Sequence, residues 1–533
     1  MSAVENRSIG TKKSDSFLSG VMVLSLSAVI VKIIGLVYKI PMLRLLGSEG
    51  MGYFNSAYEI YTLFCTVATT GLPVAMSVMI SSFKDTDEGG KRIFRVALRL
   101  FLILGALGCF IMLAFARPFA AFLGSDRAAI CILAIAPTVL LICVSSAYRG
   151  FFQGKGRMTP TAVSQVIEAL GKLILGLIFA FVALSFGAST ETVAAMAVMG
   201  LTLGTAVSAL YLALVKRFAD KRAPSIEVAA GERVLPTLLW TAIPVTLSSS
   251  VVSITKVIDM SMILRRLQDL GQSSEQAFSA YGSYTTLALP LFSLAPALIT
   301  SVAMPLIPSL SGAVARGDRE GQMSAVEDAL RVTALISMPV SVGLALFSKP
   351  ILRLIFSGED AAIEVSAPLL TVLSLSVTAS CLITVGNAVL QAYRKPTVPI
   401  ISMAAGSVAK IVIAFFLIGD ARIGLIGAPI STFVCDFVIN AINFYFIGRC
   451  LPEPPSISRV FLRPFLSAAV SVSVARLVYN LLCSKLGEGS ALTLGAVILA
   501  AALYLVASLV SGSVSKDDIS RLPVIGSVYE KIK

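Results

Sequence analysis

The chain has 533 residues, 56% of them hydrophobic and only 14% charged, with a mean hydropathy of +0.88. A soluble domain carries about a quarter charged residues, and no hydrophilic stretch here is long enough for a domain of ordinary size, so a soluble enzyme is excluded. The formal charge of +13 sits largely in short loops between apolar runs, which gives no reason to expect nucleic acid, and the absence of His removes the commonest proton carrier and metal ligand near neutral pH.

After a polar start over residues 1–16, the first apolar run extends from Phe17 to Leu46. It exceeds the roughly 20 residues that a bilayer span needs. Lys12 and Lys13 precede it as in a signal peptide, but it is too long and lacks an A-x-A cleavage site, so it reads as a mature span. Lys32 and Lys39 lie inside it, seven apart and therefore on nearly one helix face, with Gly35 between them. A cation at the centre of an isolated span costs about 3 kcal/mol on insertion scales. That face reads as the wall of a polar cavity that holds an anion; the plainer reading is that Lys39, near Pro41, snorkels to the interface.

Fourteen spans are predicted, an all-α polytopic membrane protein. Six lie at 17–40, 54–82, 93–116, 128–151, 160–185 and 192–215, within an N-terminal lobe 17–215. A basic linker, 216–233, follows. Six more, at 235–264, 278–310, 324–348, 363–391, 398–418 and 424–448, make a second lobe 234–450. Two additional helices, 460–482 and 491–511, occupy 451–512, and a polar tail runs over 513–533. Loop Lys and Arg fall roughly three to one on one side, which places both termini in the cytoplasm of a multi-pass cell-membrane protein. The eight Cys are scattered with no C-x-x-C pair, and read as packing residues.

With the cations near the cytoplasmic span ends, Arg95, Arg149, Arg331 and Arg463, counted with the loops, seven remain inside spans: Lys32, Lys39, Arg99, Lys172, Lys256, Lys410 and Arg476. The acids there are Glu59, Glu168, Asp259 and Asp436, so the membrane interior is net basic. Ionisable residues in spans ordinarily line a pathway. Lys256 and Asp259 share one face of the seventh span, as a closed pair or as one that opens to an anion or a coupling ion. Glu59, between Tyr58 and Tyr61, balances Lys32 or faces water. Glu168 is expected to brace Lys172 four residues on.

The halves repeat. Ala97-Leu98-Arg99 recurs as Ala329-Leu330-Arg331, Phe115-Ala116-Arg117-Pro118 as Phe347-Ser348-Lys349-Pro350, and Leu72-Pro73 as Met304-Pro305. After a slip, Gln153, Thr159, Ser164 and Lys172 align with Gln391, Thr397, Ser402 and Lys410. An even number of spans per copy predicts two six-helix bundles in the same orientation, with substrate between them. Pro73, Pro244 and the eighth span's Pro290, Pro296, Pro305 and Pro308 mark helix breaks, and the eighth span is expected to bend toward the cavity.

Lys32-Ile-Ile-Gly-Leu-Val-Tyr-Lys-Ile-Pro41, Leu46-Gly-Ser-Glu-Gly-Met-Gly52, Tyr58-Glu-Ile-Tyr61, Gly71-Leu-Pro-Val-Ala75, Tyr148-Arg-Gly-Phe-Phe-Gln153 and Met158-Thr-Pro160 carry a resemblance. The chain resembles the stage V sporulation protein B group, which is similar to the lipid II flippases of the multidrug/oligosaccharidyl-lipid/polysaccharide exporter superfamily. The resemblance covers nearly the whole chain and implies two six-helix lobes around a cavity formed by spans one, two, seven and eight. It also implies a lipid-tail groove from spans thirteen and fourteen. It puts a basic residue at Lys32 and often another six residues on, where this chain has Tyr38 beside Lys39; Arg44 matches a further basic position.

The expectation is a monomeric flippase, not an enzyme, working by alternating access in a membrane-lipid environment. Its cargo would be a lipid-linked oligosaccharide, an undecaprenyl-pyrophosphate sugar such as the peptidoglycan precursor lipid II. Substrate-binding residues would be Lys32, Lys39, Arg44, Glu59, Lys256 and Asp259, with no catalytic residue, metal or cofactor. Alternatives are a polysaccharide repeat-unit exporter, a cation-coupled multidrug antiporter, which should prefer acidic and aromatic cavity residues, and a membrane scaffold that would not need Lys32.

Overall fold

Backbone in hydrocarbon must satisfy its hydrogen bonds within the segment, and the apolar runs do so as helices. The computed structural model describes residues 2–82, 87–220, 234–451 and 458–513; most of the expected linker and all but the first residue of the expected tail lie outside them. Among the described residues every regular element is helical. Among the described residues twelve stretches, rather than the expected fourteen, are long and apolar enough to cross a membrane. The difference has two sources. Leu26–Ser81 runs the first two expected spans together, and the seventh contributes only the short apolar stretch Val234–Ile243.

By packing, the chain forms two units, Met1–Gly282 and Ser283–Lys533. The first holds α1 (Ser2–Thr69), α2 (Gly71–Ser82), α3 (Asp87–Ala114), α4 (Ala116–Phe122), α5 (Ala128–Gly154), α6 (Thr159–Ser185), α7 (Thr190–Asp220), α8 (Val234–Asp269) and nearly all of α9 (Ser274–Ser283). α1 is two limbs joined at Gly47, whose backbone (φ 65°, ψ 178°) only glycine adopts at little cost. The second limb ends at Thr69 because Pro73, four residues on, clashes with that carbonyl and has no N–H to offer it. α8, which the repeat assigns to the second lobe, packs with the first unit. Gly71 of α2 makes room for it: a Cβ there would fall 2.3 Å from the Ala242 carbonyl oxygen.

α6 and α7 cross glycine on glycine. A Cβ on Gly200 would lie 2.3 Å from Gly176 Cα, and one on Gly171 would lie 2.5 Å from Gly204 Cα. Gly200 and Gly204 form a small-xxx-small face, which lets membrane helices approach closely where no hydrophobic force drives them together.

The second unit holds α10 (Leu289–Arg316), α11 (Arg319–Ile355), α12 (Asp360–Ala392), α13 (Thr397–Ile418), α14 (Gly427–Gly448), α15 (Arg463–Leu486) and α16 (Ser490–Val510). A π turn, Tyr284–Ala288, precedes Pro290, and α10 then continues through Pro296, Pro305 and Pro308. The expected break in the eighth span thus lies at the π turn, ahead of those three prolines. The last two helices lean on α11. Phe347 packs with Val472, Ala475, Tyr479 and Ala496, and the Tyr504 hydroxyl donates to the Leu335 carbonyl at 2.9 Å.

The repeat is visible in backbone geometry. Phe115, between α3 and α4, has φ −106° and ψ 17°; Phe347, inside α11, has φ −112° and ψ 20°. Each stands three residues before a proline, Pro118 or Pro350, whose ring disrupts the preceding turn. All eight Cys are free thiols.

Candidate functional site

The ionisable side chains of the first unit that act on one another within the spans lie on α1, α5, α6 and α8. In the first limb of α1, Lys32 is exposed and Lys39 is partly buried, about 10 Å farther along on nearly the same face. A Cβ on Gly35 between them would meet nothing within 4 Å, so this face is open. The second limb meets α8 through a hydrogen bond between the Thr66 and Ser253 hydroxyls, 2.8 Å. One turn beyond Ser253, Lys256 is exposed and within Coulomb range of Lys32. Two ammonium groups from different helices therefore converge. Asp259, partly buried, follows one turn later on α8.

Glu59 acts on Lys39, as does Lys172 of α6. Glu59, on the second limb of α1, thus acts on Lys39, whereas the sequence suggested that it balances Lys32 or faces water. Lys39, partly buried, thus lies within range of charges on the second limb of α1 and on α6.

Lys172 sits in a cradle of rings. Its Nζ lies 4.5 Å from the centre of Tyr58, 5.1 Å from Tyr38 and 5.3 Å from Phe54. The π faces stabilise the cation by about 2 kcal/mol when it is desolvated. Where the resemblance leads one to expect a second basic residue, six after Lys32, the chain has the ring of Tyr38, and α6 brings a cation onto it.

Glu168 does not chiefly brace Lys172. It remains in electrostatic range of that residue, but Arg149 Nη2 donates to its carboxylate at 2.7 Å. Arg149 Nε also donates to the Ser164 hydroxyl at 2.9 Å, and the Ser208 hydroxyl donates to the Ser164 carbonyl at 2.9 Å. α5, α6 and α7 are thus joined by one polar network. The sequence reading missed Arg149 by counting it among the loop cations. The available signal was Glu168, a carboxylate in a span that needs a close cation.

The second unit builds its own version. Ser402, in the register of Ser164, donates to Asn443 at 2.8 Å, and Asn443 donates to Asn387 at 2.9 Å, in the register of Arg149. Lys410, in the register of Lys172, acts on Asp436, which accepts from Ser380. Of the other cations in spans, Arg99 is exposed on α3, and Arg476 lies 5.3 Å from both the Phe347 and the Tyr479 ring centres.

Arg44 stands apart. It is twelve residues from Lys32, about 18 Å along the helix and about 120° round it, beside α6. The structure therefore brings together Lys32 with Lys256, and Lys39 with Glu59 and Lys172, while Arg44 lies beside Leu177, Ile178 and Phe181 of α6. Counting Arg149, the two groups and their neighbours hold five cations, Lys32, Lys39, Arg149, Lys172 and Lys256, against the carboxylates Glu59, Glu168 and Asp259. The surplus of two favours an anion.

A family model described as polysaccharide biosynthesis protein matches residues 17–314, more than half of the chain. The chain belongs to that family. A second model, MatE, matches residues 244–416. Stage V sporulation protein B of Bacillus subtilis (strain 168) is 24% identical over 530 residues, covering 96% of this chain and 98% of its own. The lipid II flippase MurJ of the same organism is 27% identical over 420 residues, 75% of this chain and 77% of its own. A solved lipid II flippase MurJ in an inward closed conformation superposes with a TM-score of 0.69 at 17% identity, over 92% of this chain and 98% of that one. This polysaccharide biosynthesis protein is a multi-pass membrane flippase or exporter of the multidrug/oligosaccharidyl-lipid/polysaccharide superfamily, grouped with stage V sporulation protein B and the lipid II flippases.

Proposed function

We propose that the chain carries a lipid-linked oligosaccharide across the cell membrane, and that the cargo is an undecaprenyl-pyrophosphate sugar, the peptidoglycan precursor lipid II. The observation that carries this reading is the convergence of Lys32 and Lys256 beside the open face at Gly35. Like charges held together repel, and a doubly charged pyrophosphate relieves the repulsion. Ammonium groups suit phosphate as compact point charges. Lys39 extends the basic face, Glu59 limits its charge, and Asp259 flanks Lys256. Sugar and peptide would occupy the polar face while the prenyl tail stays in lipid.

No bond is made or broken. The Lys32 face opens first to the cytoplasm, where both termini lie, and then to the other side, and the protein acts as a monomer. A membrane potential supplies about 2.3 kcal/mol per charge per 100 mV and can bias the return of the emptied basic face. The surplus of cations weighs against a cation-coupled drug antiporter, and a scaffold would have no use for a basic open face.

The test is flipping of fluorescent lipid II in vesicles holding only this protein, with unlabelled lipid II or an undecaprenyl-linked polysaccharide unit as competitor. Stronger competition by lipid II supports the assignment. Stronger competition by the polysaccharide unit reassigns the cargo within the class, and no flipping of either lipid rejects it.

A further inference from the structure

We propose that Lys172 of α6 binds a carboxylate on the sugar-peptide head of the cargo, apart from the Lys32 and Lys256 pair that takes the pyrophosphate. This deepens the cargo reading above and rests on it. An ammonium offers three N–H donors. Among the described residues none of those of Lys172 is hydrogen-bonded to an acceptor. Its close contacts are the rings of Tyr58, Tyr38 and Phe54, which stabilise the charge from one side. Glu168, one turn before it, lies in electrostatic range but is engaged by Arg149 at 2.7 Å. Lys172 also keeps part of its surface exposed, which leaves it open to an anion.

The repeat supplies the comparison. Lys410, at the same place in the second copy, acts on Asp436, a buried carboxylate that also accepts from Ser380. One copy thus answers its lysine with a carboxylate still within its reach, and the other chiefly with rings. A cation inside a span is costly, and such residues pair within the protein or line a pathway. The partner that Lys172 lacks is an anion from outside the chain. It is not the pyrophosphate already assigned. Lys256 acts on Lys32, whereas Lys172 acts on Lys39, seven residues and about 10 Å farther along α1. A pyrophosphate is shorter than that step. The other anionic groups of lipid II are the carboxylates of its peptide, and a compact ammonium suits them.

The test compares flipping, in vesicles holding only this protein, of fluorescent lipid II and of the same lipid with its peptide carboxylates converted to amides. The wild type should flip the carboxylate form about tenfold faster, the difference expected from one hydrogen bond to a charged group. Lys172→Gln should bring that ratio close to one, and Lys172→Arg should restore part of it. A loss of packing would slow both lipids together and leave the ratio unchanged, so the ratio separates binding from structure. A second pair, an undecaprenyl-linked polysaccharide unit bearing a uronic acid and its amide, locates the carboxylate. A Lys172-dependent preference in that pair alone supports the site and moves the carboxylate from peptide to sugar. Equal wild-type rates within both pairs, or a preference that survives Lys172→Gln, overturn the proposal. If the wild type moves none of the four lipids, the cargo reading itself fails and this proposal falls with it.

Discussion

Lys172 of α6 and Tyr58 of α1 meet face on, ammonium to ring centre 4.5 Å, inside a unit where Glu168 is engaged by Arg149. The ring, not a carboxylate, is the close support of this cation. Tyr58→Phe keeps the π face and should leave stability within about 0.5 kcal/mol. Tyr58→Leu should lower it by about 1–2 kcal/mol, read as a drop in melting temperature of the purified protein. Equal behaviour of the two variants would remove the ring from the account.

Arg149 and Glu168 keep only 13% and 20% of their side chains exposed. Removing one partner leaves the other charge without its mate, which costs about 3 kcal/mol. Arg149→Met should therefore be strongly destabilised, and Arg149→Met with Glu168→Leu should recover much of the loss. A double-mutant cycle with no coupling would mean that the pair does not hold α5 to α6.

Gly200 and Gly343 are matched probes of packing. At Gly200 a Cβ would meet Gly176 backbone within 2.3 Å, whereas at Gly343 nothing lies within 4 Å. Gly200→Ala should cost about 1–3 kcal/mol by forcing α6 and α7 apart. Gly343→Ala should be neutral or stabilising by up to about 1 kcal/mol, because alanine is the better helix former. Melting temperatures in one detergent compare them directly.

Topology is tested by single cysteines at exposed turn positions. With both termini cytoplasmic, Arg157→Cys between α5 and α6 should react with an impermeant maleimide only after the cells are opened. Gln272→Cys between α8 and α9 should react on intact cells. The reverse pattern would invert the proposed orientation.

Much of the fold was legible because hydropathy and proline act locally. Most span positions, the repeat of Phe115–Pro118 in Phe347–Pro350, and the cations inside spans all follow from short stretches of sequence. The seam between the first two spans was less legible, since a glycine at φ 65° lets the assigned helix continue through the turn at Gly47. In the site, Lys32 and Lys256 were both read as candidate substrate residues, whereas Arg149 with Glu168 was not expected. Nineteen residues separate that pair, and only the packing of α5 against α6 brings them within 2.7 Å. The same reason hid the place of Arg44, whose neighbour is set by which helix lies beside α1.

The central claim is that the positive charge of Lys32 and Lys256 holds the headgroup of the cargo. The direct measurement is the initial rate of fluorescent lipid II flipping in vesicles by the wild type, Lys32→Gln, Lys256→Gln and Lys32→Arg, at matched protein content. A hydrogen bond to a charged group contributes about 1.5–3 kcal/mol, so each Gln variant should lose roughly 10- to 100-fold while Lys32→Arg keeps a substantial fraction. Flipping at the wild-type rate by both Gln variants would contradict the account.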